Sequence, residues 1–232
     1  MRLITIAGPP SSGKTSVIVQ TVECLRKEGL KAGVIKFDCL TSFDQVRYHE
    51  AGVPNHVGYS GKICPDHFYV TNIDEAVQWG RRSNLDIMIT ESAGLCNRCS
   101  PYIDGITAVC VIDCLSGINT PKKLGPMLRF ADVVVVTKGD IVSQAEREVF
   151  AFHIRQVNPH ADVLFINGIT GQGAFLLAKQ MRKGKEVTSV DNHKLRFTMP
   201  ASVCMYCTGV QYIKNHHQSY PAPVRRIDYG GE

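Results

Sequence analysis

Residues 8–15 read Gly-Pro-Pro-Ser-Ser-Gly-Lys-Thr, a complete phosphate-binding loop set between an apolar stretch and a helical one. The stretch Leu3-Ile4-Thr5-Ile6-Ala7 is strand-like. Val17, Ile18, Val22 and Leu25 follow at helical spacing, with Gly29 as the stop. Strand, loop and helix in that order separate a working P-loop from a chance match. Gly8 and Gly13 let the backbone wrap closely around a polyphosphate, with Pro10, Ser11, Ser12 and Ser16 completing the cradle. Lys14 adds charge at the β- and γ-phosphates, and the Thr15 hydroxyl is a Mg²⁺ ligand in such loops. The chain is therefore expected to bind a nucleoside triphosphate.

The rest of the chain fits a P-loop nucleotide-binding fold. Short apolar runs at 32–37, 86–90, 108–112, 133–136 and 163–166 alternate with amphipathic stretches at 73–83, 143–157 and 173–182. That alternation predicts an α/β protein with a doubly wound, mostly parallel sheet. Residues 38–70 are less regular, and from Gly184 the periodicity fades. The expected organisation is a nucleotide-binding domain over 1–183 and an irregular Cys/His-containing extension over 184–232. With 44% hydrophobic and 20% charged residues, 232 residues can bury a sizeable core. No run approaches the ~20 apolar residues a bilayer span needs. The first strand begins at the N-terminus and leaves no segment for a signal peptide, so a cytoplasmic location is expected. Net charge is +5, with basic residues concentrated in the last fifty. A solvated tail accounts for that without a nucleic-acid site.

Two strand ends carry chemistry. Glu91-Ser92-Ala93-Gly94 closes the strand 86–90, where an acidic group facing the P-loop holds Mg²⁺ or its water shell and the Gly94 amide meets the γ-phosphate. Asp38, past the second strand, is a second acidic candidate near the metal or the attacking water, or else a turn former. Lys14, Asp38 and Glu91 are the candidate catalytic residues. Thr137-Lys138-Gly139-Asp140 closes the strand 133–136. An aspartate there accepts from the paired N–H donors of guanine, which adenine lacks, so GTP is favoured over ATP. Thr137 stands where the usual guanine motif has asparagine, which ties the base loop to the P-loop. Asn167, after the last strand, begins a loop placed to close over the base.

These three segments together resemble the HypB/UreG family of metallochaperone GTPases and their CobW relatives, over residues 1 to about 182. The resemblance implies the dimer-activated (SIMIBI) P-loop class, a homodimer when nucleotide is bound, and slow GTP hydrolysis coupled to insertion of a metal such as nickel into a client metalloenzyme. Gly61-Lys62-Ile63-Cys64-Pro65-Asp66-His67 is similar to the family's Cys-Pro-His metal segment, with Asp66 inserted. Gly117 to Gly125 is similar to its dimer-contact stretch. The resemblance makes Cys64 and His67 ligands for Ni²⁺ or Zn²⁺ at a two-fold axis.

Nine cysteines in a chain of this character favour metal ligands or free thiols over disulfides. Cys96 and Cys99 have the spacing of two ligands to one ion, as do Cys204 and Cys207. The alternatives are buried free thiols for the first pair and an unstructured tail for the second. Such pairs also suit an iron–sulfur cluster, so a nucleotide-gated cluster-carrying ATPase stands as the alternative function.

Overall fold

The computed structural model describes residues 1–40, 42–61, 64–96, 99–198, 211–213 and 227. Among the described residues there are seven strands and seven α-helices, and the strands form one all-parallel sheet: β1 (Arg2–Ala7), β2 (Ala32–Asp38), β3 (Asn55–Tyr59), β4 (Ile87–Ser92), β5 (Thr107–Asp113), β6 (Val133–Thr137) and β7 (Asp162–Phe165). Their order across the sheet is β3-β2-β4-β1-β5-β6-β7. The helices are α1 (Lys14–Lys27), α2 (Asp44–Glu50), α3 (Pro65–Arg82), α4 (Thr120–Lys123), α5 (Pro126–Arg129), α6 (Gln144–Val157) and α7 (Ala174–Lys183). The central strands are buried on both faces, which explains their continuous apolar runs.

Residue parity decides what each strand position meets. Ile87 and Ile89 pack with Val17, Ile18 and Val22 of α1, whereas Met88 packs with Phe68, Val70 and Ile73 of α3. On β2, Val34 belongs to the α1 layer, and Ile35 and Phe37 to the α3 layer. α3 starts at Pro65, eight residues before the periodicity announces it. Its first turn carries Asp66 and His67, polar residues that are nevertheless buried. α2 and β3 lie inside the stretch that reads as irregular, because both are short and α2 turns only Tyr48 to the core.

The described residues beyond Gly184 are not a solvated tail. Val187, Val190, Leu195, Ile213 and Ile227 belong to the α3-side core. Arg196 pairs with Asp132 at 2.8 Å and donates to the Phe130, Ile103 and Ile106 carbonyls. Among the described residues no helix is long and apolar enough to cross a membrane.

Candidate functional site

The P-loop turns at the C-terminal end of β1, which lies between β4 and β5, with the earlier strands on one side of it and the later strands on the other. A cavity of about 510 Å³ opens there. Pro10, Ser11, Gly13, Lys14, Thr15 and Ser16 line one wall; Asp38 and Glu91 line the other. Gly8 lies beneath, where a Cβ would overlap the Val111 carbonyl oxygen, so only glycine fits. Gly13 precedes α1 at φ 89°, directing the first-turn amides inward. Ser12 is buried rather than facing the cavity. The Lys14 ammonium folds back onto the Gly8 and Pro9 carbonyls at 2.9 Å, and burial lowers its pKa.

Glu91 is 1% exposed. Its Oε1 accepts from the Thr15 hydroxyl at 3.1 Å, and its Oε2 from the Tyr48 hydroxyl at 2.5 Å. Burial raises its pKa, while Lys36 and Lys14 pull the other way. A hydroxyl and a carboxylate side by side beneath a phosphate loop are the hard oxygen donors that Mg²⁺ takes. Asp38 accepts from the Cys39 amide at 2.8 Å and lies 3.3 Å from the Lys36 ammonium. It is thus a turn former that also reaches the cavity.

Gly94 sits against the P-loop at φ 70°. A Cβ there would overlap the Gly8 carbonyl oxygen, so the switch turn and the phosphate loop touch through two glycines. Its amide donates to Ser92 Oγ at 3.3 Å.

A second cavity of about 330 Å³ is lined by Gly139, Asp140, Phe165 and Asn167, where a base would lie. Asn167 Oδ1 accepts from the Ile169 and Thr170 amides and so shapes the closing loop. Thr137 does the work of the missing asparagine: its hydroxyl donates to the Ser12 carbonyl at 2.7 Å, joining base loop to P-loop. Lys138 sits in the left-handed region at φ 57°, its ammonium held by Ser11 O at 3.0 Å and Asp113 Oδ2 at 3.3 Å.

On the other face of the sheet the cysteines regroup. Cys64, Asp66 and Cys99 place a ligand atom each within 4.8 Å of one another. Asp66 is fixed by the Ser92 hydroxyl at 2.6 Å and the Cys99 thiol at 3.1 Å. Contact with Cys99 holds the Cys64 thiol below the usual cysteine value in spite of burial, with the His67 and Asp66 amides assisting. Cys99 is pushed up by the same partnership and by burial. Burial raises Asp66 as well, with no cation in hydrogen-bond contact among the described residues. His67 is 3% exposed on α3 and stands outside this group. Cys96 is partly buried and packs against the same α3-side core that contains Cys99, and the three-ligand group does not include it. Cys204 and Cys207 lie outside the described residues.

Sequence reasoning missed Asp66 as a ligand candidate, treating it as an insertion between Pro65 and His67. It also missed Lys36, Asp44, Arg47 and Tyr48. Lys36 left one signal, a lysine inside an otherwise apolar strand buried on both faces.

The family model for the CobW/HypB/UreG nucleotide-binding domain matches residues 2–165. The uncharacterized protein MJ0120 of Methanocaldococcus jannaschii is 44% identical over 100% of both chains. The urease accessory protein UreG of Mycolicibacterium gilvum is 29% identical over 78% of this chain and 93% of its own. The crystal structure of the hydrogenase maturation factor HypB from Archaeoglobus fulgidus shares the fold with a TM-score of 0.63 at 23% identity, covering 79% of this chain and 89% of that one. HypB from Helicobacter pylori, solved in complex with nickel, follows at 0.62 and 19%, covering 82% and 91%. Phosphate loop, switch turn and base loop thus stand together on a fold shared with HypB, and the chain belongs to the CobW/HypB/UreG family.

Proposed function

We propose that this chain is a GTP-binding and slowly GTP-hydrolysing metallochaperone that carries a metal ion, Ni²⁺ or Zn²⁺, to a client metalloenzyme. The observation that carries the reading is the back-to-back placement of two sites at the end of β4, with Glu91 reaching the phosphate cavity and Ser92 holding a ligand of the thiol cluster. Lys14 and the α1 amides bind the triphosphate; Thr15 and Glu91 hold Mg²⁺, which supplies charge neutralisation at the β- and γ-phosphates. Asp140 takes the guanine edge and Asn167 closes the pocket. Asp38 orients the attacking water.

The cargo site is Cys64, Asp66 and Cys99. Three donors from one chain leave the fourth position of a tetrahedral ion open, as transfer requires and as a closed structural site forbids. A second copy, or the client, completes it. The set favours a single ion over an iron–sulfur cluster, which in the common types takes four cysteines. The resemblance to HypB and UreG supports the homodimer and the client enzyme as partners.

Measured GTP hydrolysis by wild type and Lys14→Ala, with metal content by elemental analysis, tests the reading. Loss of hydrolysis in Lys14→Ala and one bound ion per chain are expected. Equal hydrolysis in both would overturn it.

A further inference from the structure

Lys36 is 6% exposed on β2, in register with Glu91 on β4, and both side chains point into the α1-side cavity. A buried ammonium is costly unless paired. This one faces three carboxylates: it forms an ion pair with Asp44, lies 3.3 Å from Asp38 Oδ2 and 3.7 Å from Glu91 Oε1. The three carboxylates hold it above the usual lysine value although burial works the other way.

The oxygen it approaches on Glu91 is the one that accepts from Thr15. Ammonium and Mg²⁺-ligating hydroxyl therefore converge on one atom. Mg²⁺ held by Thr15 and Glu91 would compete with the ammonium for that oxygen, leaving Lys36 with Asp44 and Asp38 at the wall of the cavity that would take the triphosphate. Of the other cations lining the cavity, Lys14 donates to the P-loop carbonyls, Arg47 to Ser16 at 2.8 Å, and Lys138 to Ser11 and Asp113, so Lys36 is the one set on the strand that faces the Mg²⁺-binding carboxylate.

We propose that Lys36 is a catalytic cation supplied in cis, which moves from Glu91 to the γ-phosphoryl group and neutralises its charge in the transition state. The proposal rests on the GTPase reading above. In the step, the water oxygen forms the new bond to the γ-phosphorus. The bond to the β,γ-bridging oxygen breaks with its electron pair going to GDP, and the water proton passes to the released phosphate. Preorganised positive charge at that group is the main lever on such a reaction. The assignment gives the chain an intrinsic hydrolysis rate without an arginine from a partner.

Two substitutions separate charge from structure. Lys36→Gln keeps hydrogen-bond donors near Asp38 and Asp44 without the charge; Lys36→Arg keeps the charge. Saturating kcat with Mg²⁺·GTP should fall about 100-fold in Lys36→Gln and stay within about tenfold in Lys36→Arg. Binding of GDP with aluminium fluoride, which mimics the transferring phosphoryl, gives a readout independent of turnover. Wild type should bind it more tightly than GDP alone. Lys36→Gln should lose most of that gain while its GDP affinity stays within about threefold. A Lys36→Gln protein that retains kcat, or retains the aluminium fluoride gain, overturns the assignment while leaving the GTPase reading intact. A wild type that binds neither GTP nor GDP overturns the reading beneath it.

Discussion

Glu91 and Ser92 are neighbours on β4 and face opposite sides of the sheet: the carboxylate accepts from Thr15 under the phosphate loop, and the hydroxyl donates to Asp66 in the thiol cluster. Alternation along a strand makes this arrangement automatic. The Gly94 amide, packed against the phosphate loop, donates to the same Ser92 Oγ, so the turn after β4 touches the residue that holds Asp66. One peptide unit thus separates the nucleotide chemistry from the metal chemistry.

Ser92→Ala should uncouple the two sites without abolishing either. In wild type, binding of a non-hydrolysable GTP analogue should change metal affinity by a factor of about 5 to 150, the usual range for coupled sites, and metal should change analogue affinity by the same factor. With the hydroxyl gone, Asp66 keeps only the Cys99 thiol and the factor should fall towards one. Calorimetric titration of each ligand with and without the other reads it directly. An unchanged factor would place the coupling elsewhere.

Thr137 should matter to affinity and Asp140 to base choice. Thr137→Val leaves the Ser12 carbonyl without its 2.7 Å donor and should weaken GDP by about 1–3 kcal/mol, the cost of a buried unpaired group. Asp140→Asn presents an amide donor where guanine also donates, so preference should move towards xanthine nucleotides. Titration of wild type with GDP and ADP is the companion measurement. Equal affinities would remove the guanine assignment.

The nucleotide half of the site was legible because its signals are local. A P-loop between strand and helix, Glu91 and Asp140 at strand ends, and Asn167 past the last strand need only sequence order to be placed. The metal half was not. Cys64 and Cys99 meet only because α3 starts at Pro65 and packs its first turn under the end of β4, a contact across 35 positions that no spacing rule encodes. Spacing instead pairs Cys96 with Cys99 and gives no sign of Cys64. Lys36 was hidden for a different reason: its strand reads as buried core, Asp44 opens a short helix in the stretch that reads as irregular, and Glu91 comes from a strand two elements beyond that helix and β3. Thr137 looked like a loss and is a replacement, since its hydroxyl reaches the P-loop carbonyl.

The Cys64 thiol should react at lower pH than an ordinary cysteine. Contact with Cys99 lowers its pKa although burial works the other way, so the thiolate fraction, and with it the alkylation rate, should reach half-maximum at a lower pH than for a free cysteine. Raising pH increases reactivity and metal affinity together; lowering it protonates the sulfur and releases the ion. Iodoacetamide labelling mapped by mass spectrometry across a pH series checks this, and Zn²⁺ should protect Cys64. Half-maximal labelling at or above the pH of a free cysteine would remove Cys99 as a controlling contact.

Metal stoichiometry should follow the cluster rather than the sequence pairs. Cys64→Ser and Cys99→Ser each leave two donors from the group and should lose the bound ion. Asp66→Asn keeps a neutral oxygen donor and should weaken binding without abolishing it, since a carboxylate gives way to an amide beside the same thiols. His67→Gln should retain the ion, because that imidazole is buried on α3 outside the group. Cys96→Ser should also retain it, since that side chain packs against the α3-side core. A Cys204→Ser, Cys207→Ser double variant decides whether the C-terminal pair shares the site: full occupancy is expected, because Cys64, Asp66 and Cys99 come together without it. Elemental analysis of the six proteins loaded with Ni²⁺ or Zn²⁺ under the same conditions gives the comparison. Loss in His67→Gln with retention in Cys99→Ser would return the ion to the Cys-Pro-His-like segment alone, and the β4 connection to the nucleotide would go with it.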